Sequence, residues 1–257
     1  MLFNIGDVVS RNSYNNDIIF KIKEIKSDIA ILEGINERLE ADSNINDLKK
    51  EEISETNDNN IHKRLEEDIE IDRNEFFYLP GKILHIDADE TYLNRCLKLY
   101  EKLNVKAYGI ISKEREISKQ IKNYLEEIKP DIVVITGHDA KYNNNKYKNS
   151  NYFIEAINEA RNYERSHEKL IIIAGACQSN YEELIKAGAN FASSPKRINI
   201  HALDPAIIAS QVALSDNRKP IDLIKIINST KYKKEGIGGI ITNGTMYVGY
   251  PRWILKT

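Results

Sequence analysis

The sequence predicts an α/β protein: a parallel, three-layered αβα sheet over residues 76–257, preceded by a small SH3-like β-barrel module over residues 1–43 and a charged linker over residues 44–75. Three observations predict it. After residue 80, buried-type aliphatic runs alternate with helix-length amphipathic stretches, a rhythm that builds parallel sheets with right-handed crossovers. Before residue 43, short β-rich runs recur at intervals of roughly 10 residues, as in small barrels. Between the two lies a stretch rich in Asn, Asp, Glu and Lys that holds neither Gly nor Pro.

Composition narrows the function classes. Lys+Arg number 37 against 39 Asp+Glu, a net charge of −2, so no global field favours nucleic acid or an acidic membrane surface. Specificity has to come from local sites. The two cysteines, Cys96 and Cys177, sit in different settings, one in a polar helical stretch and one after a buried strand, which argues against a disulfide framework. No apolar run approaches the roughly 20 residues that span a bilayer, and the start MLFNIGDVVSRN lacks a signal pattern. The expected location is the cytoplasm.

Each element follows from local pattern. Asp7-Val8-Val9, Ile18-Ile19-Phe20-Lys21-Ile22 and Ile29-Ala30-Ile31-Leu32 are the strands of the small module, with turns at Gly6-Asp7 and Gly34-Ile35-Asn36. The linker is read as partly helical. Strands are then expected at residues 82–87, 105–111, 131–136, 170–174 and 190–192, with helices at 90–103, up to 129 where Pro130 closes the second, 151–163, and from about 180. The run Asp131-Ile132-Val133-Val134-Ile135-Thr136 is continuous and β-branched, as a central parallel strand should be. The closing segment, residues 236–249, reads as a hairpin turning at Asn243-Gly244, and its glycines match no phosphate-loop fingerprint.

In an open parallel sheet, the carboxyl ends of the strands line a crevice where reactive groups are placed. Two loops leaving such ends stand out: Thr136-Gly137-His138-Asp139-Ala140 and Gly175-Ala176-Cys177-Gln178-Ser179. A thiol is largely protonated at neutral pH and needs a base or cation to become a nucleophile. If the two strands are neighbours, roughly 4.8 Å apart, the imidazole of His138 reaches the thiol of Cys177. The amides at the start of the helix near Asn180 would add a favourable field. Gly175 and Ala176 leave room for a carbonyl to approach a backbone N–H, and Gly137, His138 and Asp139 could supply a second donor for an oxyanion. Asp139 either orients His138 or faces solvent.

The competing reading makes Cys177 a buried structural thiol and His138 a loop histidine. Their joint occurrence at successive strand ends favours catalysis. Caspase-type proteases likewise place a histidine after one hydrophobic strand and an Ala-Cys dipeptide after another, and the separation here, 177 minus 138 or 39 residues, is compatible. Their His-Gly order is Gly-His here, which leaves the oxyanion donor open. Cys96 falls at a helical packing position. His85 lies in a strand and His167 in a polar loop, neither with a metal-ligand spacing, so no metal or cofactor is expected.

Longer motifs carry a family resemblance. Ile135-Thr136-Gly137-His138-Asp139-Ala140, Ala174-Gly175-Ala176-Cys177-Gln178-Ser179, Ala187-Gly188-Ala189-Asn190-Phe191-Ala192-Ser193-Ser194-Pro195 and Asn199-Ile200-His201-Ala202-Leu203-Asp204-Pro205 resemble the sporulation-specific YabG proteases. Ile5-Gly6-Asp7-Val8-Val9 and Ala41-Asp42-Ser43 extend the likeness to the amino terminus. The resemblance implies a cysteine endopeptidase of the mother cell of an endospore former, trimming spore coat and related spore proteins. Similarity to arginine-specific proteases of caspase fold implies cleavage after basic residues. An acidic group should then line the specificity pocket, with Asp204 and Asp139 as candidates by charge. The block from Ser193 to His201 follows the fifth strand on the same side of the sheet. It either shapes the substrate cleft, through Ser194 and His201, or is a turn in which Pro195 ends the strand. His201 is a second candidate base.

Two other classes stay open. Leu84-His85-Ile86-Asp87-Ala88-Asp89-Glu90 resembles the acidic start of a receiver-like or flavodoxin-like binding domain, although the third strand ends in Thr136-Gly137-His138 where a phosphoacceptor aspartate would stand. The other is a non-catalytic scaffold associated with the spore coat.

Overall fold

A computed structural model describes residues 3–52, 61, 63, 65, 75–142 and 146–252. The chain divides into two compact units, Met1–Asn59 and Asn60–Thr257.

In the first unit, β1 (Val8–Arg11), β2 (Phe20–Lys26), β3 (Ile29–Gly34), β4 (Glu40–Asn44) and β5 (Leu48–Lys50) form an antiparallel sheet in the order β4-β3-β2-β1-β5. Period-2 alternation drives it: Phe20 and Ile22 are buried while Lys21 and Lys23 are exposed. Val9, Phe20, Ile22, Ala30, Leu32 and Leu48 make its core. The turn between β3 and β4 needs Gly34, because a Cβ there would stand 2.3 Å from the Glu37 carbonyl oxygen. The sheet continues to Lys50, beyond the boundary at residue 43 read from sequence. The polar composition that suggested a linker hides one short strand, which is held by pairing Ser10 with Lys49 and by burial of Leu48. Residues 53–60 and most of 61–74, where a partly helical linker was expected, lie outside the described residues.

The second unit has a six-stranded sheet in the order β12-β11-β10-β9-β7-β8. Its parallel strands are β7 (Ile83–Asp87), β8 (Ala107–Ile111), β9 (Ile132–Thr136), β10 (Ile171–Ala174) and β11 (Phe191–Ser193). Connecting helices are α1 (Glu90–Lys102), α2 (Glu114–Ile128), α3 (Ser150–Tyr163) and α4 (Tyr181–Lys186). Helices α5 (Asp204–Ala213), α6 (Leu223–Asn228) and α7 (Lys233–Gly236) follow.

The strand residues alternate between two cores. Ile83, Ile132, Val134, Ile171, Ile173 and Phe191 pack with α1 and α5, through Leu99, Tyr100, Ile208 and Val212. Leu84, Ile86, Val133, Ile135, Ile172 and Ala174 pack with α2 and α3, through Ile121, Leu125, Phe153 and Ile157. The central strands β7, β9, β10 and β11 are therefore buried on both faces, which explains the unbroken aliphatic runs and gives three layers, while the edge strand β8 is largely exposed.

The closing segment departs from the expected hairpin. β12 (Ile237–Gly239) adds antiparallel to β11 at the sheet edge, while β13 (Tyr247–Gly249) pairs antiparallel with β6 (Phe77–Leu79) in a separate ribbon. Asn243 bridges Pro220 instead, and a Cβ on Gly244 would meet the Ser215 carbonyl oxygen at 2.0 Å. Glycine here serves close packing. A hairpin turn was the wrong inference from the same dipeptide.

Candidate active site

The strand order reverses direction between β7 and β9, so their carboxyl ends open a crevice where the connections diverge. His138 leaves β9 and Cys177 leaves β10. Ile135 and Ala174 are paired across these adjacent strands. Each candidate stands three residues beyond its paired residue, so chain register brings the two loops level at the same end of the sheet.

The histidine loop is fixed from below and from the side. His138 donates its backbone N–H to Glu114 Oε1 at 2.9 Å and accepts Asn149 Nδ2 on its carbonyl at 2.7 Å. Gly137 permits this, since a Cβ there would lie 2.8 Å from Glu114 Oε1 and 3.1 Å from Ala88 Cβ. The His138 amide, considered from sequence as an oxyanion donor, is thus already engaged. The ring packs against Tyr92 with centroids 5.9 Å apart. Its Nε2 lies 3.2 Å from Asp89 Oδ2.

Asp139 neither orients His138 nor faces solvent. It is buried, and Oδ1 accepts the N–H groups of Ala140 and Asn149, each at 2.8 Å. Oδ2 accepts the hydroxyls of Ser150 and of Ser179, the latter at 2.9 Å. Ser179 Oγ in turn receives the Ala176 N–H at 2.9 Å, and Ser150 Oγ receives the Asn180 N–H at 2.9 Å. One carboxylate therefore ties the His138 loop to the Cys177 loop. A carboxyl group so fully hydrogen-bonded is not offered to a substrate.

Cys177 is 1% exposed. Its Sγ accepts the Ile200 N–H at 3.3 Å and lies 3.9 Å from the Ile200 carbonyl oxygen. The amides expected from the helix near Asn180 do not act as foreseen: α4 is a short helix, and the Asn180 N–H is spent on Ser150. Gly175 adopts φ +109, and a Cβ there would sit 2.9 Å from Leu184 Cδ1 and 3.2 Å from Ser193 Cβ. Gly175 and the buried Ala176 thus make the sharp exit from β10 into a packed interior, not open space for a substrate.

Segment 194–200 runs beside the Cys177 loop, and its last residue, Ile200, touches the thiol. Gln178 donates its N–H to the Ile198 carbonyl at 3.0 Å and to Ser194 Oγ at 3.0 Å. Ser194 Oγ is also within 3.0 Å of the Ala176 carbonyl and 2.8 Å of the Ile198 carbonyl. Arg197 anchors the segment, reaching Tyr147 Oη at 2.8 Å, Asn180 Oδ1 at 3.5 Å and the Glu182 carboxylate. Burial alone would lift Glu182, but the bond and charge of Arg197 reverse this and hold the carboxyl below its usual value. Burial works against the Arg197 guanidinium too, and Glu182 and Tyr147 more than compensate, raising it.

His201 and Asp204 are buried together ahead of α5. Asp204 accepts the N–H groups of His201 at 3.1 Å and of Lys231 at 3.0 Å, and His201 Nδ1 accepts the Leu203 N–H at 3.2 Å. Both side chains are committed to the backbone. Asp204 is therefore not a lining residue for a basic side chain, and the His201 lone pair on Nδ1 is not a spare base. Cys96 packs in α1 with Sγ 3.6 Å from the Ala202 carbonyl oxygen, as its helical position predicted. Among the described residues no cluster of His, Cys, Asp and Glu suits a metal ion, and no helix is long and apolar enough to cross a membrane.

Sequence reasoning missed Asp89 and Glu114 at this site. The signal for Asp89 was present in Asp87-Ala88-Asp89, but it was read as the acidic start of a receiver-like domain. Only the placement of β7 beside β9 turns that strand end toward His138. Asp87 itself is buried, accepting the Thr136 hydroxyl at 2.7 Å and the Asp89 N–H at 3.0 Å.

Fold and site together define an α/β protein with histidine, cysteine and carboxylate groups on the loops at the carboxyl edge of a mostly parallel sheet. The family model described as YabG peptidase U57 matches residues 4–251. The sporulation-specific protease YabG of Bacillus subtilis (strain 168) is 39% identical over 286 residues, covering 98% of this chain and 99% of that protein. The chain belongs to the YabG peptidase U57 family. Membership makes it a peptidase and sets aside the receiver-like and scaffold readings of the same sheet.

Proposed function

We propose that the protein is a cysteine endopeptidase of sporulation in which Cys177 is the nucleophile and His138 the base. The observation that carries this reading is the common register of the two residues, each three positions beyond the Ile135–Ala174 pair on adjacent parallel strands. The strand order, with an antiparallel strand only at the β12 edge, supports kinship with caspase-like proteases. In the reaction the Cys177 thiol gives its proton to His138, and the thiolate attacks the scissile carbonyl. His138 then returns the proton to the leaving amine, and water releases the acyl group from sulfur.

The substrates proposed are spore coat and related spore proteins, met in the mother cell, with cleavage after arginine. The sporulation role follows the name of the Bacillus subtilis relative. Support for a basic preference comes from Tyr147, Asn180 and Glu182, which already receive one guanidinium, that of Arg197. Ser194 contributes by shaping the cleft floor through its contacts with Gln178 and Ala176.

Cleavage of an arginine-containing coat-protein substrate tests the dyad. Cys177→Ala and His138→Ala should each lower the rate by at least about 10³-fold while the circular dichroism spectrum is unchanged. Cleavage by Cys177→Ala at the wild-type rate would remove the nucleophile.

A further inference from the structure

The residue facing His138 from the turn after β7, Asp89, has a division of labour between its two oxygens. Asp89 is the residue that caps α1: Oδ1 accepts the N–H groups of Thr91 at 2.9 Å and Tyr92 at 3.2 Å. Those bonds fix the plane and position of the carboxylate. Its backbone is fixed as well, by the 3.0 Å bond from its N–H to Asp87 Oδ1. Asp87 is held by Thr136 Oγ1, and Thr136 Oγ1 stands 2.9 Å from His85 Nε2, whose Nδ1 is 2.9 Å from Tyr100 Oη. His85, Asp87, Tyr100 and Thr136 are all fully buried. This leaves Asp89 Oδ2 at a determined point, 3.2 Å from His138 Nε2.

We infer that Asp89 is a positioning residue that holds His138 in its Nε2–H tautomer and turns Nδ1 toward the work of a base. This rests on the dyad reading and deepens it. A carboxylate oxygen only accepts, so the nitrogen facing it carries the proton and the lone pair falls on Nδ1. When the Cys177 proton moves to Nδ1, the ring becomes imidazolium with both nitrogens protonated, and the Asp89 carboxylate lies against the new positive charge. The proton is neither lost to water nor passed to Asp89, which keeps its charge throughout. The helix cap makes the arrangement economical in residues: one side chain starts α1 and orients the base.

The experiment uses the full chain with ring-¹⁵N histidine and an arginine-containing peptide substrate. Asparagine caps a helix about as well as aspartate, so Asp89→Asn should fold normally, but its amide can donate to His138 Nε2 and drive the proton to Nδ1. The wild-type His138 spectrum, identified by its loss in His138→Ala, should show the Nε2–H tautomer. Asp89→Asn should show the Nδ1–H tautomer and at least a 100-fold fall in kcat/KM, on the order expected for loss of acid–base function. Asp89→Glu, with the charge retained, should recover part of the activity. An Nδ1–H tautomer in the wild type, or an Asp89→Asn variant within threefold of wild-type kcat/KM, would overturn the assignment. Should Asp89→Asn fail to fold, the wild-type tautomer decides. If Cys177→Ala still cleaves, the dyad falls while the tautomer continues to report on Asp89 alone, so the two failures are told apart.

Discussion

A single buried carboxylate, Asp139, carries four hydrogen bonds drawn from three different stretches of chain. Its removal leaves two serine hydroxyls and two backbone amides facing one another without their common acceptor. Losing an acceptor of this kind costs about 3 kcal/mol, beyond what a surface substitution does. Asp139→Ala is therefore expected to lower the denaturation midpoint and to weaken activity together, because the loops of His138 and Cys177 lose their tie. Chemical denaturation followed by peptide cleavage reads both. An unchanged midpoint would mean that Ser150 and Ser179 find other acceptors. At this scale the sequence was a partial guide. The dipeptide His138-Asp139 invites pairing of neighbours in the chain, whereas the Asp139 carboxylate is taken up by Ala140, Asn149, Ser150 and Ser179, and the partner of His138, Asp89, comes from a helix cap 49 positions earlier.

At the scale of the element, segment 194–200 ends in Ile200, which touches the Cys177 sulfur. Ser194 and Arg197 both adopt left-handed backbone, with φ of 62° and 56°, a conformation that costs non-glycine residues energy and persists only where contacts enforce it. Here Arg197 supplies those contacts. Its ion pair with Glu182 is charged on both sides at every pH above the ordinary carboxyl value of 4.5; the lowered Glu182 pKa means this stabilisation is lost only as pH falls below that. Arg197→Ala should loosen the segment by about 1.5 kcal/mol, or about tenfold in the open population. The expected readout is a tenfold faster alkylation of Cys177 by iodoacetamide at pH 7, with Cys177→Ala as the blank. An equal rate would show that Ile198 and Ile200 alone hold the segment down. Elements of this sheet were legible where burial on both faces forces aliphatic runs, as at residues 132–136 and 171–174. They were not legible at β12 and β13, whose glycine-rich strands take their partners, β11 and β6, from tertiary packing that no local pattern encodes.

On the scale of the whole molecule, the chain is two units with separate cores, and Leu65 packs in the core of the second. All of the residues assigned to chemistry belong to the second. A chain beginning at residue 60 is expected to keep short-peptide kcat/KM within about threefold of the full chain, since separate cores fold as separate domains. Cleavage of a full-length protein substrate should fall further if the antiparallel sheet of the first unit recruits it. Comparing the two substrates on the truncated chain measures that contribution directly, and equal retention of both would assign the first unit no part in recognition.

The cover over Cys177 also bears on the chemical lifetime of the enzyme. Thiolates are oxidised first to sulfenic acid and then irreversibly onward, at rates set by exposure as well as by ionisation. A sulfur that is 1% exposed and held by the Ile200 N–H is shielded from peroxide. If Cys177 is the nucleophile proposed above, a motion that admits a peptide to it would admit an oxidant too. On that proposal, burial of the thiol between turnovers would slow its oxidation, and damage would accumulate in proportion to the time it is exposed.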